Sequence, residues 1–299
     1  MPARWLDLVD PSRGELLASL PVQVDPDVVE ILLATPSDGI RVRPLLEGHG
    51  AYVLGVFLEA LPIPDEDRVA YREVDVVATP ELVLTVRKSP PDGAPWDPAP
   101  LELAEEGLDA GELLHRLVDD VADSFLDVVD AMDAEIDELE ENMEEWSSDR
   151  VRRRVAGLRH DLLHARRNVS AMRSAVRRIV DGRLDVGDER LFPAAVERRF
   201  ADTHETLLRA GEELDVARDL LASSRDYHQS KIAENQNEIV KTLTVIASLV
   251  LVPTLIVGFY GQNFARAFGE RYWSIGVSTS LIVATTFIQL AAYRWRRWI

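Results

Sequence analysis

The sequence predicts an α+β chain: a small N-terminal α/β domain, a long helical hairpin, one very long helix, and two C-terminal helices of membrane-spanning length. Three observations predict it. Short β-rich runs punctuated by Pro, Gly and Asp fill the N-terminal third. Apolar residues then recur every three or four positions through most of the remaining chain. Finally, two stretches of 24 and 22 residues, Thr242 to Ala265 and Tyr272 to Tyr293, contain no charged side chain. The boundaries implied are 1–105 for the α/β domain, 106–240 for a helical stalk, 241–260 for a first membrane helix, 261–273 for the loop after it, 274–293 for a second membrane helix and 294–299 for a basic tail.

In the first part, Arg4 to Val9, Tyr52 to Leu58, Glu73 to Val77 and Leu82 to Val86 read as strands. Between the first two, Asp27 to Leu33 reads as a short helix with Asp25 as its cap and Pro26 in its first turn. Ser89-Pro90-Pro91-Asp92-Gly93-Ala94-Pro95 marks a loop, and helix signals begin near Asp109.

Leu113, Leu117, Val121, Phe125, Val128 and Met132 trace one face of the next helix. From Asp119 to Glu145 there are 13 acidic residues and no basic one, whereas Arg150 to Arg178 carries ten arginines and the single acid Asp161. Two helices of opposite charge, turning at Ser147-Ser148-Asp149, pair as an antiparallel hairpin with an apolar seam and ion pairs at its borders. After a break from Asp181-Gly182 to Pro193, one helix can run from about Ala194 to Phe259, with no proline until Pro253 and Gly211 the one interruption in propensity before it. At ~1.5 Å per residue it is roughly 100 Å long, the length of a helix that leaves a water-soluble domain and enters a membrane.

Charge divides the chain. Residues 1–238 hold 51 acidic and 27 basic side chains, whereas 239–299 hold six basic residues and one acid. So acidic a part excludes a nucleic-acid partner, which requires a basic surface, and suits a cation instead. The absence of cysteine excludes disulfides and thiolate metal sites and fits a reducing compartment. The N-terminal residues lack a secretory signal's apolar stretch. No phosphate-binding glycine loop, His-Glu-x-x-His or Gly-x-Ser-x-Gly motif occurs, so no enzyme class is indicated.

Each uncharged stretch exceeds the ~20 residues that cross a bilayer core about 30 Å thick. Arg294-Trp295-Arg296-Arg297-Trp298 at one end, with Lys231 and Lys241 before the first span, gives both ends cytoplasmic character. Two spans cannot enclose a pore, so conduction requires a ring of copies. Stepping along the first span from Asn237 gives Val240, Leu243 or Thr244, Ala247, Leu251, Thr254 and Gly258. That face is polar at the cytoplasmic end, apolar in the middle and small or polar outside, the pattern of a gate that closes by dewetting. Small residues and threonine on one face also suit plain helix packing in membranes.

Leu243-Thr244-Val245-Ile246-Ala247, Pro253-Thr254 and Tyr260-Gly261-Gln262-Asn263-Phe264 resemble the first span and signature of the CorA magnesium and divalent-cation transporters. The resemblance extends upstream through Ala134 to Glu141, Leu158 to Leu162 and Asn237-Glu238. It implies a homopentameric, funnel-shaped channel in the cell membrane that admits Mg²⁺, with Co²⁺ or Ni²⁺ as further cargo, under the control of cytoplasmic Mg²⁺. Tyr260, Gly261, Gln262 and Asn263 would form its outer filter and Asn237 its inner pore mouth. Mg²⁺ gives up its waters reluctantly, so a ring of neutral amides at Asn263 can hold the hydrated ion and still release it. By the same resemblance, Asp202 would bind regulatory Mg²⁺ between subunits, with a partner among Asp65, Glu66 and Asp67, and Asp226 would face the funnel interior.

Two departures stand out. Gln262 replaces the methionine usual in magnesium-transporting members, and the loop from Ala265 to Trp273 sets Arg266 and Arg271 against Glu270 alone. Relatives with a changed middle residue include zinc transporters, so a Zn²⁺ carrier, with proton coupling as one form of it, is the alternative cargo reading. A non-conducting membrane-anchored scaffold is the third. His160 and His164, one helical turn apart among arginines, could ligate zinc as a pair but read more simply as surface residues.

Overall fold

The computed structural model describes residues 2–35, 44–63, 68–90, 93–102, 107–184, 191–261 and 271–298. The chain divides into two compact units, Met1–Arg225 and Asp226–Ile299.

The first unit is built on a five-stranded sheet of order β1-β5-β4-β3-β2. Its strands are β1 (Arg4–Val9), β2 (Leu45–Gly48), β3 (Val53–Ile63), β4 (Arg68–Ala78) and β5 (Leu82–Arg87). β1 lies parallel to β5, and the other pairings are antiparallel. All four expected strands form, although β3 and β4 extend further than their apolar cores suggested, and β2 was not foreseen. In β4, Val74, Val76 and Ala78 point to one core while Val77 points to another. That alternation is what a strand covered on both faces requires.

One face is covered by α1 (Arg13–Ser19) and α2 (Pro26–Leu33), through Leu16, Val28, Val29 and Leu32. Helix α1 is fixed by a capping box in which Ser12 and Glu15 satisfy each other's backbone N–H groups. Asp25 occupies the N-cap of α2 but makes no side-chain cap bond. Its carboxylate instead accepts from Tyr52 Oη at 3.4 Å and lies 3.2 Å from His49 Nδ1.

The other face carries α3 (Ala99–Glu102), α4 (Ala110–Asn142), α5 (Ser148–Val180) and the first half of α6 (Ala194–Gly261). Asp109 and Glu112 close a capping box at the start of α4, and Ser147 caps α5. The seam between α4 and α5 is apolar, with Ile136, Leu139, Leu158 and Leu162 buried. Its ion pairs divide between two partners: Arg154 bonds Glu135 across the hairpin at 2.9 Å, whereas Arg166 pairs with Asp215 of α6. A Cβ on Gly111 would lie 2.4 Å from the carbonyl oxygen of Leu191, so glycine lets the start of α4 touch the segment leading into α6.

Three buried ionisable side chains sit on the α2-facing side of the sheet. Lys88 Nζ lies 2.5 Å from Glu73 Oε1, 2.7 Å from Asp75 Oδ2 and 2.8 Å from the carbonyl oxygen of Ile31. Two carboxylates share one ammonium away from water, so one keeps its proton more readily. Burial, opposed by Lys88 and reinforced by Glu73, pushes the Asp75 carboxyl up to about 8.

The second unit pairs the rest of α6 with α7 (Arg271–Trp295). Both helices are long and apolar enough to cross a membrane. In α6 the hydroxyls of Thr242, Thr244 and Thr254 are satisfied inside the helix, donating to the carbonyls four residues before them at 3.0, 2.8 and 2.7 Å. Such back-bonding is how threonine tolerates an environment without water.

Candidate functional site

The membrane half of α6 has two unlike sides. Val245, Ser248, Leu249, Val252, Pro253, Ile256 and Tyr260 are buried or half-buried. Of these, Ser248 is in direct contact with α7: Tyr293 Oη donates to its Oγ at 2.6 Å, and Gln289 Nε2 donates to its carbonyl oxygen at 3.3 Å. The expected pore residues Asn237, Val240, Leu243, Thr244, Ala247, Leu251, Thr254 and Gly258 are all exposed. With ~3.6 residues per turn, the two sets lie on nearly opposite faces of the helix.

That uncovered face begins polar at Asn237, becomes apolar at Val240, Leu243 and Leu251, and ends small or polar at Thr254 and Gly258. Leu243 and Leu251 are 64% and 66% exposed, which leaves these large apolar side chains for a neighbour, a lumen or lipid. Tyr260 packs its ring against Phe259 edge to face, with centroids 5.7 Å apart. Gly261 is the last residue of α6, and nothing stands within 4 Å of where its Cβ would be. Gln262 and Asn263 lie outside the described residues, as do Asp65, Glu66 and Asp67.

The two remaining acidic candidates are both exposed on α6. Asp202 adjoins a rigid anchor. Thr203, wholly buried, donates its hydroxyl hydrogen to Asp119 Oδ1 at 2.6 Å and takes a bond from His115 Nε2 at 3.2 Å. The backbone that carries Asp202 is thereby fixed to α4. Asp226 is the first residue of the second unit. Among the described residues no three His, Asp or Glu side chains converge as a metal cage within one chain.

The sequence profile described as CorA-like Mg²⁺ transporter protein matches residues 3–296. The chain belongs to the CorA family. Cobalt/magnesium transport protein CorA of Thermotoga maritima is 24% identical over 195 residues, 64% of this chain, and the match spans about half, 53%, of that protein. In fold, the chain is similar to the complete structure of the CorA magnesium transporter from Methanocaldococcus jannaschii, with a TM-score of 0.79, 20% identity, and coverage of 99% and 91% of the two chains. It is also similar to the ZntB cytoplasmic domain of Vibrio parahaemolyticus, with a TM-score of 0.58, 15% identity, and coverage of 78% and 89%. The α/β domain, the long helices and the two membrane-length helices are thus those of the CorA fold.

Sequence reasoning missed the contacts that hold these elements. Gln289 is the lone carboxamide in the α7 span, and a polar side chain in so apolar a stretch was the available signal for an interhelical bond. The Lys88 cluster and the Thr203 anchor left no such trace, because their partners lie far apart in sequence.

Proposed function

We propose that the chain is one subunit of a ring-shaped, gated channel that admits Mg²⁺ into the cell, with Asn263 as its outer filter. The observation that carries this reading is the face of α6 turned away from α7, running from Asn237 through Leu251 to Gly258. One chain cannot enclose a lumen, so five copies in a ring, as family resemblance suggests, would bring these faces together around an axis. Leu243 and Leu251 would then form the apolar constriction that closes by dewetting, and Asn263 would hold the ion through its water shell. Both termini would be cytoplasmic, with Arg294, Arg296 and Arg297 at the inner surface. The stalk and membrane boundaries at 240, 260, 273 and 293 follow this assignment.

Purified protein in liposomes tests it. A membrane potential alone should drive Mg²⁺ uptake, and Asn263→Ala should abolish uptake without dispersing the assembly. Unchanged uptake in Asn263→Ala would reject the filter, and no uptake by the wild-type chain would favour a non-conducting scaffold. Regulation would rest on Asp202 with a partner among Asp65, Glu66 and Asp67 of a neighbour, and on Asp226 within the funnel. Asp202→Lys should weaken inhibition by internal Mg²⁺, and full inhibition in that variant would remove Asp202 from the sensor.

A second cargo is favoured by one residue. Gln262 stands where magnesium-transporting relatives carry methionine, which supports Zn²⁺ as the alternative ion. Zn²⁺ uptake that requires a pH gradient, with no voltage-driven Mg²⁺ uptake, would select that reading.

A further inference from the structure

We infer that His160 and His164 form a two-imidazole site on α5 for a borderline transition-metal dication such as Zn²⁺, Ni²⁺ or Co²⁺, separate from the conduction path. The rings lie 4.3 Å apart between centroids and are tilted by 45°. Residues four apart share one face of a helix, and this helix is held along its length by buried Leu158, Leu162, Ala165 and Val169. The two rings are therefore already side by side on an ordered helix, and little ordering opposes binding.

The surroundings leave room for the rest of a coordination sphere. Helical side chains lean over the preceding turn, and that turn carries Ala156 and Gly157. Nothing lies within 4 Å of a Cβ built on Gly157. His160 is exposed and His164 half-buried, so water can complete the shell. Asp161 does not join as a third ligand. Burial holds its carboxyl up, opposed by His160, by the hydrogen bond it accepts from the backbone of Val69, and by Arg154 and Arg68.

The charges nearby set selectivity. Arg68 and Arg154 act on Asp161 next to the pair, and Arg159 and Arg167 flank it in sequence. A hard ion held by charge alone, such as Mg²⁺, gains nothing among guanidinium groups and prefers oxygen ligands. Zn²⁺, Ni²⁺ and Co²⁺ form strong bonds to neutral imidazole and tolerate a positive neighbourhood at reduced affinity. The site thus tells transition metals from Mg²⁺ on the water-soluble part of the chain.

The test uses the full chain in detergent with saturating Mg²⁺, so that oxygen-ligand sites are already filled. Calorimetric titration with Ni²⁺ and with Zn²⁺ should show one site per chain that Mg²⁺ does not displace and that is lost in both His160→Gln and His164→Gln. In parallel, Zn²⁺ should protect His160 and His164, read by peptide mass spectrometry, from acylation by diethylpyrocarbonate. Both variants lie on an outward helix face, and circular dichroism verifies their fold. Titrations unchanged in both variants, or acylation of the two histidines undiminished by Zn²⁺, would overturn the site. Neither readout depends on conduction.

Discussion

Tyr293 of α7 donates its hydroxyl hydrogen to Ser248 of α6 at 2.6 Å, and this bond joins the two membrane helices on the side of α6 away from the proposed lumen. Gln289 adds a second link to the same residue through the Ser248 carbonyl oxygen. In an apolar medium such bonds fix which face of a helix meets its neighbour, and here they turn Leu251 and Gly258 outward from α7. Tyr293→Phe removes the shorter bond while keeping the ring. It should cost about 1 kcal/mol of stability in detergent, within the range of interhelical bonds in membranes. Thermal unfolding of the assembled protein measures it, and an unchanged midpoint would show that packing alone sets the helix pairing.

Leu251 offers a test of the apolar constriction. If five copies of this side chain exclude water when the channel is closed, Leu251→Asn should wet the constriction and raise resting Mg²⁺ uptake under internal Mg²⁺ that silences the wild type. The same substitution on a lipid-facing side would destabilise the protein without adding leak. Flux and unfolding measured on one preparation separate the two outcomes.

The Lys88 cluster makes the stability of the α/β domain depend on pH. Lys88, Glu73 and Asp75 are 3%, 5% and 0% exposed, so none is shielded by water. The Asp75 carboxyl, pushed up to about 8, stands above its unfolded value of 3.8. Between those two pH values the folded state binds a proton that the unfolded state has released, and stability falls as pH rises. Burial draws the Lys88 ammonium down, but Asp75 and Glu73 outweigh it and the net shift is upward. Its contribution is therefore present at neutral pH and is lost as pH climbs through the raised value. Asp75→Asn should flatten the decline between about pH 4 and 8. Lys88→Met strands the Glu73 carboxylate beside the Asp75 carboxyl and should cost about 3–5 kcal/mol. Denaturant unfolding across pH reads both, and a flat wild-type profile would contradict the cluster's charge state.

What could be read from sequence follows from range. Periodicity is local, so the hairpin, the turn at Ser147 and the helix beginning at Ala194 were legible, as was the exposed face from Asn237 to Gly258. Helix α1 is only seven residues long, too short for its periodicity to show, and the capping box at Ser12 and Glu15 was its one readable sign. Strand β2 is four residues long and carries only two apolar side chains, Leu45 and Leu46, too few to show alternation. Helix α5 looked like the ionic partner of acidic α4, but Arg166 turns to Asp215 of α6, since composition gives the sign of a face and not its neighbour. The filter and the sensor rested on family resemblance, because single amides and aspartates carry no pattern of their own.

Thr203 links stability to the proposed sensor. Its hydroxyl has one hydrogen, and at 2.6 Å that hydrogen belongs to the bond with Asp119, so His115 must place its own hydrogen on Nε2 to reach the Thr203 oxygen. Thr203→Val keeps the shape and removes both bonds, leaving only Asp119 Oδ1, 3.9 Å away, facing the His115 Nε2 donor. The expected cost is about 1–3 kcal/mol, the penalty for an unsatisfied buried group. Because Asp202 is the preceding residue, loosening this turn of α6 should also displace its carboxylate and raise the internal Mg²⁺ needed for closure. His115→Leu in the Thr203→Val background removes the stranded donor and should recover part of the stability. If stability returns while Mg²⁺ inhibition stays weak, the anchor acts by positioning Asp202. If inhibition never weakens, the turn carrying Asp202 has no part in sensing.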